Sequence, residues 1–199
     1  MRLTAKNLTL ERGGRTVFRA VSLSLAAGQL MQLTGPNGSG KSSLLRLIAG
    51  LNEQAEGSVA LTGGKDDLAL GQQAHYIAHQ EPVKAALTVS ENLAFWRDFL
   101  NGGDVEEALS AFDLSRLSSY PAGLLSAGQK RRLALARLVL APRPLWLLDE
   151  PTVGLDTASL DRLVGVMSRH LANDGLIIAA THVPLGREPD VRLELGRAA

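Results

Sequence analysis

The segment that most constrains this chain is Gly35-Pro-Asn-Gly-Ser-Gly-Lys-Ser42. It follows a short stretch with strand character, Gln29–Thr34, and opens directly into Lys41–Ala49 (KSSLLRLIA), whose spacing predicts a helix stopped by Gly50. This is the G-x-x-x-x-G-K-[ST] pattern in the strand–loop–helix setting that gives it meaning. Its glycines let successive backbone N–H groups turn onto phosphate oxygens, and the helix adds the positive end of its dipole at the same point. The phosphate-binding set is then Gly35, Pro36, Asn37, Gly38, Ser39, Gly40, Lys41, Ser42 and Ser43. Lys41 would reach the β- and γ-phosphates and Ser42 would ligate Mg²⁺. The bland alternative is a glycine-rich turn that happens to precede a basic helix.

Strand signals run Arg2–Leu10, Thr16–Leu25 and Gln29–Thr34, punctuated by Gly13-Gly14 and Ala27-Gly28, and continue at Ser58–Leu61 and Ala74–Ala78. The middle changes character. Thr88-Val-Ser-Glu91 has the form of a capping box and opens a helix through about Leu100. Further helices are predicted over Asp104–Phe112 and Ser126–Leu140. Strands return at Leu145–Leu148 and Leu176–Ala180, with a helix Ala158–Leu171 between them. Strands joined by helical crossovers argue for an α/β protein with a mostly parallel sheet. The helical block from about Glu81 to Leu124 reads as an insertion into that core.

Composition removes other classes. At 199 residues with 45% hydrophobic content the chain can bury a core without staples and is not disordered. A net charge of +1 gives no electrostatic case for binding nucleic acid. The absence of cysteine excludes disulfides, thiolate metal sites and a cysteine nucleophile. No apolar run approaches the length of a membrane span, and the amino end lacks the apolar core of a signal peptide. The expected compartment is the cytosol, with any membrane role carried by a partner.

Two further sites follow from position. Leu145-Trp-Leu-Leu-Asp-Glu150 is an apolar strand that ends in two carboxylates, where a parallel sheet faces its ligand crevice. Asp149 suits the Mg²⁺ shell, and Glu150 suits general-base activation of a water. A merely solvated strand end is the alternative. His182 follows the strand Leu176–Ala180; by position alone a lone histidine there is more often structural than functional.

Leu125-Ser126-Ala127-Gly128-Gln129 decides between these readings. With the phosphate loop, the Asp149-Glu150 strand and His182 in this order, the chain resembles an ABC-transporter ATP-binding domain along essentially its whole length. The resemblance implies a P-loop NTPase core with a mostly parallel sheet, an N-terminal antiparallel β subdomain and an inserted helical subdomain, all one domain over residues 1–199. It implies ATP and Mg²⁺ as ligands. Ser126, Gly128 and Gln129 match the signature that holds the ATP of a second copy, which makes the working form a homodimer. Ser126-x-x-Gln129 is also a capping box, so a well-made helix start is the plain alternative. Gln80 matches the loop that contacts Mg²⁺ or water, Asp156 the loop after the acidic strand, and His182 the histidine on the γ-phosphate. Two departures stand out. Ala127 replaces a glycine of the signature, and Arg12 lies where the family usually stacks an aromatic on adenine. A guanidinium can stack on a base, and it can equally be a solvated loop charge.

Within the family, His79-Gln80, the run Leu125–Arg137 and the ending Ala180-Thr-His-Val-Pro-Leu-Gly186 resemble the ATP-binding subunit of bacterial cytochrome c maturation systems. That resemblance implies integral membrane partners, docking at the inner face of the cell membrane, and hydrolysis that drives haem export or release of a haem-loaded chaperone. No C-x-x-C-H occurs, so direct haem binding is not expected. A soluble ABC ATPase, another small ABC transporter, a phosphotransferase and an inactive scaffold are the competing readings. Phe95, Trp96 and Phe99 are expected to fill the core of the helical block, or else to form a docking face for a partner helix.

Overall fold

The computed structural model describes residues 1–80 and 82–196, which form two compact units. The first unit contains Met1–Ala78, Pro144–Pro151 and the chain from Arg169 onward; the second contains His79–Arg143 and Thr152–Ser168. The second unit therefore reaches well beyond the segment 81–124 expected to form the helical insertion. Glu81, where that insertion was expected to begin, lies outside the described residues.

The first unit carries two sheets. Strands β1 (Arg2–Arg12), β2 (Arg15–Ala26) and β4 (Glu56–Thr62) form an antiparallel sheet in the order β2-β1-β4. Gly13 and Gly14, with φ of 58° and 73°, close β1 onto β2 in a two-residue turn whose mirror-image geometry matches strand twist. The second sheet is parallel, in the order β5-β6-β7-β3-β8. Its members are β3 (Leu30–Thr34), β5 (Ala74–Ile77), β6 (Leu145–Asp149), β7 (Leu176–Ala180) and β8 (Val191–Glu194). β6 and β7 are buried at every position, as expected for strands covered on both faces. Helix α1 (Lys41–Ile48) places Leu44, Leu45, Leu47 and Ile48 in one core with Leu3, Leu25, Leu33, Leu147 and Ile178. The α/β class, the parallel sheet and the antiparallel amino-terminal sheet all match the sequence reading. β8 does not appear in that reading: Val-Arg-Leu-Glu at a sheet edge alternates and is too short and polar to announce itself.

In the second unit, α2 (Val89–Leu100) and α3 (Val105–Ala111) pack on α4 (Ala127–Leu140). α2 begins with the predicted capping box: Glu91 N donates to Thr88 Oγ1 (3.2 Å) while Thr88 N donates to Glu91 Oε2 (2.7 Å). Asn92, buried, fixes the preceding loop by accepting from Lys84 N and donating to Lys84 O and Thr88 O. A fifth helix, α5 (Thr157–Ala172), begins in this unit and ends in the first.

The aromatic expectation needs correction. The inward face of α2 is Val89, Asn92 and Leu93, with Trp96 half-buried one turn on. Phe95 and Phe99 lie a quarter turn away and are 40% and 69% exposed, so they are not core residues. Phe95 stacks on Phe99 and Trp96 meets both edge-on, while Lys84 covers the Phe95 ring and Arg137 the Trp96 ring.

Candidate active site

Register in the parallel sheet brings three predicted segments to one edge. Leu33 of β3 pairs with Ala180 of β7, and Ala180 pairs with Asp149 of β6. The strands' carboxyl ends therefore deliver Gly35, Glu150 and His182 side by side, at the edge where α/β sheets bind ligands. Backbone bonds hold the alignment: Thr181 N donates to Leu33 O, and Glu150 N to Ala180 O at 2.8 Å.

The loop from Gly35 to Gly40 is built for close approach. A Cβ on Gly35 would collide with the Leu195 carbonyl oxygen, and one on Gly40 would lie 2.8 Å from Val17 Cγ1 and 2.9 Å from Phe18 Cδ1. Gly40 is also the N-cap of α1 at φ 97°, a backbone conformation that favours glycine. Lys41 folds back into the loop and donates to Gly35 O (2.7 Å) and Pro36 O (3.1 Å). Ser39 Oγ is buried without a hydrogen-bond partner. A buried hydroxyl with unmet bonding capacity, beside a pre-folded ammonium and a helix N-terminus, fits a phosphate group.

The acid pair divides by environment. Asp149 is buried at the end of β6, and its charge acts on Tyr76 and Arg46. Arg46 Nε donates to the Tyr76 hydroxyl at 3.3 Å. Burial pushes the Tyr76 phenol up, and nearby Asp149 adds to that, so the hydroxyl stays protonated. Tyr76 and Arg46 were not read from the sequence, because only the tertiary pairing of β5 with β6 brings them to Asp149. Glu150 adopts φ 47°, the left-handed region uncommon for a residue with a side chain. His182 is exposed, within a local turn in which Val183 N donates to Thr181 Oγ1 at 3.1 Å.

Among the described residues no group of three or more His, Cys, Asp or Glu side chains could hold a metal. One hydroxyl (Ser42) and one carboxylate (Asp149) are hard oxygen donors of the kind Mg²⁺ takes when substrate phosphates complete its shell. The residues present fit that arrangement. Arg12 is exposed at the tip of the β1–β2 hairpin.

The remaining predicted residues lie in the second unit. Ser126 caps α4 reciprocally: Gln129 N donates to Ser126 Oγ (3.2 Å) and Ser126 N to Gln129 Oε1 (2.9 Å). A Cβ on Gly128 would stand 2.9 Å from the Gly154 carbonyl, so the start of α4 touches the loop that precedes Asp156. Ala127 is exposed at the first helical position, where a methyl group is accommodated. Asp156 Oδ1 accepts from Ser159 N at 2.8 Å, and hydrogen bonds from Ser159 hold its carboxyl below the usual carboxylate range. Gln80 is exposed. Ser126, Gly128, Gln129 and the Asp156 loop thus converge within one unit; the phosphate loop, Asp149, Glu150 and His182 converge within the other.

Comparison with known proteins identifies the family. The sequence profile of the ABC transporter family matches residues 18–153. A cytochrome c biogenesis ATP-binding export protein, CcmA, of Mesorhizobium japonicum is 54% identical over 191 residues, covering 94% of this chain and 95% of that protein. The protein of the same name from Chelativorans sp. is 50% identical over 199 residues and covers 98% of both chains. Among solved structures, an ATP-binding subunit of an ABC transporter superposes with a TM-score of 0.89 at 25% identity, covering all of this chain and 89% of that one. With the family profile spanning more than half its length, at the phosphate loop and the acidic strand described above, this chain belongs to the ABC transporter family of ATP-binding proteins.

Proposed function

We propose that this chain is the ATP-hydrolysing subunit of a membrane ABC complex in cytochrome c maturation, turning ATP and water into ADP and phosphate to drive haem export or release of a haem-loaded haem chaperone. The observation that carries the reading is its identity of 54% over nearly the full length to a protein described as a cytochrome c biogenesis ATP-binding export protein. The sheet register supports the hydrolytic half.

Lys41 exchanges the carbonyls of Gly35 and Pro36 for β- and γ-phosphate oxygens, and Ser39 and the loop N–H groups, those of Gly35 and of Asn37 through Ser43, enclose the rest. Ser42 and Asp149, with Gln80, would hold Mg²⁺, which would neutralise charge on the phosphates. Glu150 takes the proton of the attacking water, and His182 donates to the γ-phosphate. Tyr76 and Arg46 steady the Asp149 carboxylate.

The open start of α4, with Ser126, Gly128 and Gln129, binds the γ-phosphate of ATP held by a second copy, and Asp156 lies at the same interface. Two copies related by a two-fold axis then enclose two ATP molecules, each copy completing the other's site. No described helix is long and apolar enough to cross a membrane, so attachment to the inner face of the cell membrane runs through integral partners. Phe95 and Phe99, exposed beside Lys84, are the docking face. Haem itself is handled by those partners.

The test is co-purification from detergent-solubilised membranes. Haem-handling membrane proteins and a haem chaperone are expected in the eluate; an ordinary permease pair would remove the haem assignment, and no membrane partner at all would remove the transporter.

A further inference from the structure

A cavity of about 420 Å³ lies in the first unit, between Gln32 of β3 and the segment 182–189 that follows β7. Gln32 is on the face of β3 opposite Met31 and Leu33, which fill the core with α1. The covering segment is held at both ends. At its start Val183 N donates to Thr181 Oγ1, and just past its end Asp190 Oδ2 accepts from Leu30 N at 2.8 Å. Leu185, 2% exposed, anchors its middle, and Pro184 and Pro189 fix two of its φ angles. The turn between them is made by Gly186 at φ 72°. The cavity is thus built into the fold, as ligand pockets usually are.

Its charged lining is unbalanced. Arg192, the cross-strand neighbour of Gln32, donates to Glu188 at 2.8 Å, so those two charges offset each other. Arg187 has no counter-charge among the described residues, and its Nε is buried without a hydrogen-bond partner. A guanidinium only donates, so what Arg187 lacks is an acceptor, and an anionic acceptor bonds it most strongly. A buried donor left unmet is costly, and a bound oxyanion removes that cost. His182 lines the same cavity. It is also the residue read above as donating to the γ-phosphate, so the cavity adjoins the place where hydrolysis sets phosphate free.

We propose that this cavity is a product subsite: inorganic phosphate passes from His182 to Arg187 before it leaves the protein, and phosphate from solution refills the same site. The proposal rests on the reading that His182 meets the γ-phosphate of ATP. Phosphate presents acceptor oxygens on every side, so one takes the Arg187 Nε–H while others bond water or the Gln32 amide. A water occupies about 30 Å³ in the liquid, so the cavity admits the ion with several waters around it. Arg187 stays charged at any working pH, so this hold on phosphate needs no proton uptake.

The experiment follows the amide and arginine Nε–H resonances of the full chain by NMR as inorganic phosphate is added, with sodium chloride at equal ionic strength as control. Phosphate is expected to shift residues 182–189 and the Arg187 Nε–H saturably, and chloride to leave them in place. Arg187→Gln should weaken this binding about tenfold or more. Arg187→Lys, which keeps the charge but has no planar fork, should weaken it nearly as much. Lys41→Ala, which removes the ammonium of the phosphate loop, should leave it intact. Unchanged resonances away from 182–189 in the Arg187 variants show that folding is not the cause. In the membrane complex, phosphate should slow hydrolysis at saturating MgATP, and Arg187→Gln should raise the phosphate needed for half that effect by about tenfold. Shifts confined to residues 35–43 and lost in Lys41→Ala, or shifts unmoved by Arg187→Gln, overturn the subsite and leave the hydrolytic reading standing. Binding that depends on Arg187 while phosphate has no effect on turnover overturns the product role. Failure of the complex to hydrolyse ATP overturns the hydrolytic reading itself, and the product role with it.

Discussion

Glu150 follows a buried strand, its N–H is committed to Ala180 O, and its φ is 47°. A side-chain-bearing residue in that region costs on the order of 1 kcal/mol or more, and such strain gathers at functional sites. The strained backbone and the neighbouring buried Asp149 give two carboxylates with different environments, one suited to a cation and one to a proton. Glu150→Gln keeps the volume and removes the base. Turnover measured by phosphate release should fall about 10²–10⁴-fold, with MgATP affinity retained. His170 supplies a second prediction. Its ring lies 3.7 Å from the Trp146 ring, nearly parallel, and burial pushes its pKa down to about 4 from 6.5. Between those values the unfolded chain binds a proton that the folded chain refuses. Stability is therefore fully present above about pH 6.5 and declines toward pH 4, by at most about 3 kcal/mol. Urea midpoints followed across that window should show the slope, and His170→Phe should flatten it while preserving the stack.

Two helices of the second unit open with the same device, and in the proposed assembly only one of them meets a ligand. Thr88→Ala and Ser126→Ala each remove a reciprocal cap worth about 1 kcal/mol, so both should lower the urea midpoint by a similar amount. Activity separates them. Thr88→Ala should leave ATP hydrolysis per folded molecule unchanged, and Ser126→Ala should reduce it, because only the α4 start faces a phosphate in the proposed assembly. Both caps were legible in the sequence, as was the phosphate loop, since each is a local code of a few residues. The apolar runs of β6 and β7 were legible for a related reason: strands buried on both faces have no polar positions to confuse the pattern. Other features were set by contacts distant in sequence. The Tyr76–Arg46 pair depends on β5 lying beside β6, and the β8 edge is held by β3, some 160 residues earlier. The aromatic run on α2 was misjudged toward the core because composition suggests burial; helical phase put Phe95 and Phe99 on the flank instead.

At the scale of the whole molecule, each of the two compact units holds its own set of candidate residues. The first has the phosphate loop, the acid pair and His182; the second has the Ser126 helix start packed against the loop of Asp156. A helix N-terminus capped by a hydroxyl, with a glycine allowing close approach, has donors to offer an anion. If two copies share two ATP molecules, binding energy at each shared phosphate is spent on association and is lost when the γ-phosphate leaves. Glu150→Gln should then trap the assembly. In sedimentation or light scattering with MgATP this variant is expected to double in mass, while the wild type returns to the monomer as ATP is consumed. Adding Ser126→Ala to Glu150→Gln should return the protein to a monomer with MgATP still bound, because the loop that holds the nucleotide is untouched and only the second copy's grip is removed. A Glu150→Gln protein that binds MgATP and stays monomeric, in the presence of its membrane partners as well as alone, would mean that the Ser126 helix start serves only as a cap.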